Sequence, residues 1–128
     1  MQDELTQTSA PVVAPNLLPL YEESARIMTI CNACRFCEGH CAVFPAMEQR
    51  LTFDRETVDY LANLCHQCGA CYQHCQYADP HEFNVNVPRV FAEVRHSSYA
   101  HFAWPKGMAW AIRNAWGFTI LTTLLATL

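Results

Sequence analysis

Cys31-Asn32-Ala33-Cys34-Arg35-Phe36-Cys37-Glu38-Gly39-His40-Cys41 and Cys65-His66-Gln67-Cys68-Gly69-Ala70-Cys71-Tyr72-Gln73-His74-Cys75 together carry all eight cysteines of this 128-residue chain. Each stretch reads C-x2-C-x2-C-x3-C, and the two align at an offset of 34 residues. The register extends upstream, where Ser24, Ile27, Met28 and Ile30 align with Val58, Leu61, Ala62 and Leu64. This is a two-fold internal repeat of helix followed by cysteine loop. Two copies are too few for a solenoid but suit a pseudo-symmetric pair in which each half supports the other.

So many cysteines in a short chain admit three explanations: a disulfide scaffold, zinc sites or iron–sulfur clusters. Met1 to Pro15 contains Asp3 and Glu4 but no basic segment followed by an apolar one, so no secretory signal is visible. A reducing compartment is the default expectation, and there clustered cysteines serve metals more often than disulfides. Structural zinc uses two separated pairs of cysteines, whereas three cysteines at successive two-residue gaps crowd a tetrahedron. They suit one corner of a cubane, which needs four thiolates in all. A short loop supplies three of them and seldom closes around the fourth, so the fourth is expected from the other half. The expected sets are Cys31, Cys34, Cys37 and Cys75 for one [4Fe–4S] cluster and Cys65, Cys68, Cys71 and Cys41 for the other. Zinc held at two four-cysteine sites stays as the alternative. Both halves lack the Pro that follows the fourth cysteine in bacterial ferredoxins; Pro45 and Pro80 come four and five residues later.

The predicted fold is all-α: an α-helical ferredoxin of two helix–cysteine-loop halves, followed by the start of a transmembrane helix. Leu20, Tyr21, Ser24, Ile27, Met28 and Cys31 share one face of a first helix, with Pro19 near its start. A second helix runs from Asp54, a ready N-cap, with Val58, Leu61, Ala62 and Cys65 on one face. A third apolar stripe, Val87, Val90, Phe91 and Val94, begins around Pro88, while the stretch through Pro45 reads as loop. The expected organisation is a flexible segment at 1–16, a helical two-cluster domain at 17–98, a linker at 99–105 and a truncated membrane helix at 106–128.

The membrane expectation rests on a run from Asn114 to Leu128 that holds no charge, preceded by Arg89, Arg95, Lys106 and Arg113. Spanning a bilayer takes roughly 20 apolar residues, so the run breaks off as the span would complete, as in the front of a longer membrane protein. Trp104, Trp110 and Trp116 suit an interfacial belt, and the preceding cations put the cluster domain on the cytoplasmic side of the inner membrane. The net charge of −4, from 8 basic and 12 acidic residues without a Lys/Arg run, excludes a phosphate-tracking stripe and nucleic acid with it.

Four further residues are expected around the sulfurs rather than on the metal. Gly39 and Gly69 lie in the loops, where a missing Cβ lets backbone N–H groups approach. His40 and His74 each precede a fourth cysteine; with eight thiolates sufficient for two cubanes, they tune by hydrogen bonding or face water. No dinucleotide fingerprint, nucleophile–base pair or paired carboxylates can be read, so no substrate-oxidising site is expected here.

The segments Ile30 to Gly39, Cys41 to Met47, Asn63 to Cys71, Cys75 to Ala78, Pro80 to Phe83 and Asn86 to Pro88 carry a family likeness well beyond the cysteine spacing. They resemble the tricarballylate- or citrate-utilisation B proteins, related to the electron-transfer part of an iron–sulfur flavoprotein of cobalamin synthesis. The resemblance implies a membrane subunit that takes electrons from the reduced FAD of a tricarballylate-type dehydrogenase and passes them to the quinone pool. It also implies b-type haem in a multi-helix membrane part, which no residue of this chain can be assigned to hold. A soluble ferredoxin whose apolar tail packs in a subunit interface is a further alternative.

Overall fold

A computed structural model describes residues 17–128; the segment expected to be flexible, 1–16, lies outside the described residues. Seven helices follow in order among them, with no strand: α1 (Leu18–Cys34), α2 (Val43–Glu48), α3 (Arg55–Leu64), α4 (Ala70–Gln73), α5 (Val87–Phe102), α6 (Gly107–Arg113) and α7 (Ala115–Thr127). The all-α expectation is met on these residues.

Helix α1 starts with Pro19 in its first turn, where the missing N–H removes no intrahelical bond. It buries Tyr21, Ser24, Ile27 and Met28, the face that its apolar spacing marks out. Ser24 is the polar member of that face, and its hydroxyl is satisfied by the Leu20 carbonyl at 2.7 Å. Helix α3 begins at Asp54, whose carboxylate accepts the Thr57 amide at 2.9 Å. Helix α5 begins at Asn86, whose side chain accepts the Arg89 amide at 3.1 Å, with Pro88 in the first turn. It packs on both α1 and α3, burying Val87, Val90, Phe91 and Val94 between them. The core is thus the joint apolar face of three helices, closed by Val43, Phe44 and Met47 of α2.

Polar bonds fix how these helices cross. The Tyr21 hydroxyl donates to Asp59 at 2.7 Å, joining α1 to α3, and Asn63 donates to the Ser98 hydroxyl at 3.1 Å, joining α3 to α5. Burial, followed by the Asp59 carboxylate that accepts its proton, pushes the Tyr21 phenol up from its ordinary value.

Thr57 lowers the Asp54 carboxyl below its ordinary 3.8 by bonding its charged form. The cap therefore contributes fully above that value and fades as pH falls through the lower folded one. Asp54→Ala is expected to cost about 1 kcal/mol at neutral pH, seen as a fall of about 4–8 °C in the thermal midpoint. The gap between variant and parent should narrow in strong acid.

Three features differ from the sequence expectation, the first being that the stretch through Pro45, expected as loop, holds α2. Helix α5 continues to Phe102, into the stretch expected as linker. More consequentially, the single helix expected over 106–128 is two, parted at Asn114, whose backbone sits at φ −117° and ψ 45°. The Asn114 amide N–H and its side-chain N–H₂ both donate to the Trp110 carbonyl, at 2.9 and 3.1 Å. The first is the helix ladder's own bond to the residue four back; the second is a side-chain bond of the kind by which asparagine competes with helix propagation. Helix α7, with 13 residues, is about 20 Å long against a hydrocarbon layer of about 30 Å. Among the described residues no helix is long and apolar enough to cross a membrane.

Candidate metal centre

The helices bring the eight cysteines to two places. Cys31 and Cys34 lie in the last turn of α1, Cys65 directly follows α3, and Cys71 lies in α4. Cys31, Cys34, Cys37 and Cys75 line one cavity with Ile30, Phe44 and Val85. Cys41, Cys65, Cys68 and Cys71 line a second with Val43, Phe44 and Val87. Each cavity takes three cysteines from one half of the repeat and one from the other. Phe44, 3% exposed, stands in the wall of both. It belongs to α2, in the stretch through Pro45 whose sequence predicts loop.

What marks each room for a cluster is its donor set, four soft thiolates walled by apolar side chains, where a cubane takes one thiolate for each iron. The sulfurs of each set line the wall of a shared cavity.

Their electrostatics call for a cation. Burial pushes the Cys31 thiol up to about 12, helped by the neighbouring sulfurs of Cys75, Cys37, Cys71 and Cys34. Burial does the same to Cys71, again to about 12, with Cys37, Cys65, Cys41 and Cys68 adding to it. Cys37 is raised for the same reasons, with Cys75 its foremost neighbour. Thiols gathered in this way stay protonated by themselves; bound iron would supply the positive charge that makes them thiolates, with release of the protons. All eight are free of disulfides.

The residues expected around the sulfurs divide. Gly69 sits at φ 75°, a left-handed conformation that glycine adopts without strain, and it lines the second cavity. Its repeat equivalent Arg35 is left-handed too, at φ 53°. At Gly39 an added Cβ would meet nothing within 4 Å, so no close approach explains that glycine. His40 and His74 are exposed and meet edge to face at 5.3 Å between ring centroids, joining the halves. The His74 ring nitrogen also pairs with the Ala70 carbonyl at 3.0 Å.

Three polar residues near the sulfurs were not marked by the sequence. Gln67 donates its backbone N–H to Cys65 Sγ at 3.4 Å and its side-chain N–H₂ to the same sulfur at 3.8 Å. Gln76 donates to Cys34 Sγ at 3.6 Å. Arg95, counted above only in the charge pattern, donates to the Cys65 carbonyl at 2.8 Å. That contact joins residues 30 positions apart, beyond the reach of any local periodicity.

The comparisons with known proteins follow the same residues. The citrate utilization protein B Fer4-like domain family matches residues 24–101, which hold every cysteine. Citrate utilization protein B of Escherichia coli is 55% identical over 106 residues, covering 83% of this chain and 28% of that protein. The chain therefore spans less than a third of the length of this relative. No solved structure gives a significant match. With eight cysteines gathered around two rooms inside the matched segment, the chain belongs to the citrate utilization protein B Fer4-like domain family, and iron–sulfur binding is the chemistry of its cysteines.

Proposed function

We propose that this chain relays single electrons through two [4Fe–4S] clusters, from the reduced FAD of a partner dehydrogenase of tricarballylate type towards the quinone pool. Cys31, Cys34, Cys37 and Cys75 hold one cluster, and Cys41, Cys65, Cys68 and Cys71 hold the other, in a helical ferredoxin arrangement. The observation that carries this reading is the partition of the cysteines into two four-sulfur rooms, each completed by the opposite half. When bound, the clusters would supply one-electron acceptance, a redox change of iron that moves no hydride. The protein's part is to hold the sulfurs, limit water with Phe44, Val85 and Val87, and keep the two rooms side by side.

The domain sits at the cytoplasmic face of the inner membrane. Support comes from the tail, where Trp104 and Trp116 are 88% and 84% exposed and α7 presents Ile120, Leu121, Leu124 and Leu125 to its surroundings. Lys106 and Arg113 bound α6 at its ends, placed for lipid headgroups. The break at Asn114 favours a second reading of the tail alone, in which it packs in a subunit interface and no bilayer is involved.

Purified anaerobically from native membranes, the chain is expected to be brown, to hold about eight irons, and to come with a flavin-containing subunit. Zinc in place of iron overturns the cluster reading. Iron without flavin removes the dehydrogenase, and recovery from the soluble fraction without detergent selects the interface-packed tail.

A further inference from the structure

The repeat predicts equal halves, but the structure breaks the equality at the cysteines. In the first half α1 continues through Cys31 and Cys34, so the Ala33 N–H lies inside the helix and is taken up by the helix ladder. In the second half α3 stops at Leu64, and Cys65 turns to an extended conformation at ψ 125°. Gln67, the repeat equivalent of Ala33, is thereby left-handed at φ 57° and turns its backbone N–H onto Cys65 Sγ. The Arg95 guanidinium donates to the Cys65 carbonyl, which the end of α3 leaves without a partner in the helix.

The two rooms therefore differ in what stabilises added negative charge. Cys65 Sγ accepts two N–H groups, both from Gln67, and a half-buried guanidinium is held against the same residue's carbonyl. In the other room Cys34 Sγ accepts the Gln76 amide alone among the described residues. Arg35, next to Cys34 in the sequence, is exposed and donates to the Asn32 carbonyl at 3.1 Å. Charge on an exposed side chain is screened by water and salt, whereas charge held in a half-buried position is screened less. Hydrogen bonds to cluster sulfurs and nearby positive charge both favour the reduced form, which carries one more electron.

We infer that Arg95 and Gln67 make the Cys41, Cys65, Cys68 and Cys71 site the more oxidising of the two, so that an electron shared by the pair rests there. This rests on the two-cluster reading above. Both are positioning residues that act on the site through Cys65. The Cys31, Cys34, Cys37 and Cys75 site, at the lower potential, is then the one that refills it.

The test is a potentiometric titration of the anaerobically purified, iron-loaded chain, followed by electron paramagnetic resonance. Two one-electron waves are expected. Arg95→Gln should move the upper wave down and leave the lower in place; Arg95→Lys, which keeps the charge, should restore most of the shift. Gln67→Leu should lower the same upper wave by a smaller step, and Gln76→Leu should lower only the other one. Where Arg95→Gln fails to load iron, the two glutamine variants decide, because both side chains are exposed and their bonds are to the sulfurs. About four irons per chain counts against the two-cluster reading itself. A full iron load with coincident waves, or with waves that these substitutions leave unmoved, overturns the inference and leaves that reading intact.

Discussion

Cys75→Ser is expected to remove the cluster site formed with Cys31, Cys34 and Cys37, although Cys75 lies in the other half of the sequence. It lines that cavity, while Cys71, four positions earlier, lines the opposite one. Serine replaces a soft thiolate with a hard oxygen that iron in a cubane binds poorly. Iron should fall from about eight to about four per chain, with the resonance of the site at Cys41, Cys65, Cys68 and Cys71 retained. The mirror variant Cys41→Ser should do the reverse. Loss of the cluster nearest in sequence in each case would show that each loop closes on its own metal, against the crossing.

Removal of the metal is expected to unfold much of the cysteine-bearing domain. Cys31, Cys37, Cys41, Cys65, Cys71 and Cys75 all pack against the hydrophobic core, so the sites and the core share their walls. Apparent binding energies on the order of 10 kcal/mol accompany thiolate-held structural metals, and in small domains that energy is folding energy. The whole stability of an ordinary domain is about 5–15 kcal/mol. Losing even a quarter of the binding term should lower the thermal midpoint by about 10–20 °C. Anaerobic treatment with a chelator, followed by far-ultraviolet circular dichroism, should show a cooperative loss of helix. A treated chain that keeps both its helix content and its midpoint would place the stability in the apolar core alone.

Much of this architecture can be read from particular residues. Asp54 three positions before Thr57 announces the start of α3, and Pro19 and Pro88 mark the first turns of α1 and α5. The spacing of Ile27, Met28, Val58, Leu61, Val90, Phe91 and Val94 marks out the core that the three helices share. These signals are local, and each acts through the few residues around it. Helix α2 escaped notice because it has six residues and contains Pro45. Yet a proline at its third position breaks no bond, since the first four amides of any helix lack an intrahelical acceptor.

The tail shows a different limit. Hydropathy registers how apolar Asn114 to Leu128 is, but continuity depends on one residue: Asn114 still accepts the Phe118 amide at 3.0 Å, yet its backbone at φ −117° and ψ 45° leaves the helical region and parts α6 from α7. At the cysteines, spacing was sufficient to list the eight residues and to suggest their partition. The inequality of the halves was invisible, because Arg95 meets Cys65 across the fold and Gln67 turns its amide onto the Cys65 sulfur only once α3 has ended.

The central claim, two four-iron clusters per chain, is tested most directly by native mass spectrometry of the anaerobically purified protein. The account predicts one dominant species, heavier than the bare chain by about eight irons and eight sulfides, and a half-loaded species for Cys75→Ser. A dominant mass corresponding to one cluster, or to two zinc ions, would contradict it.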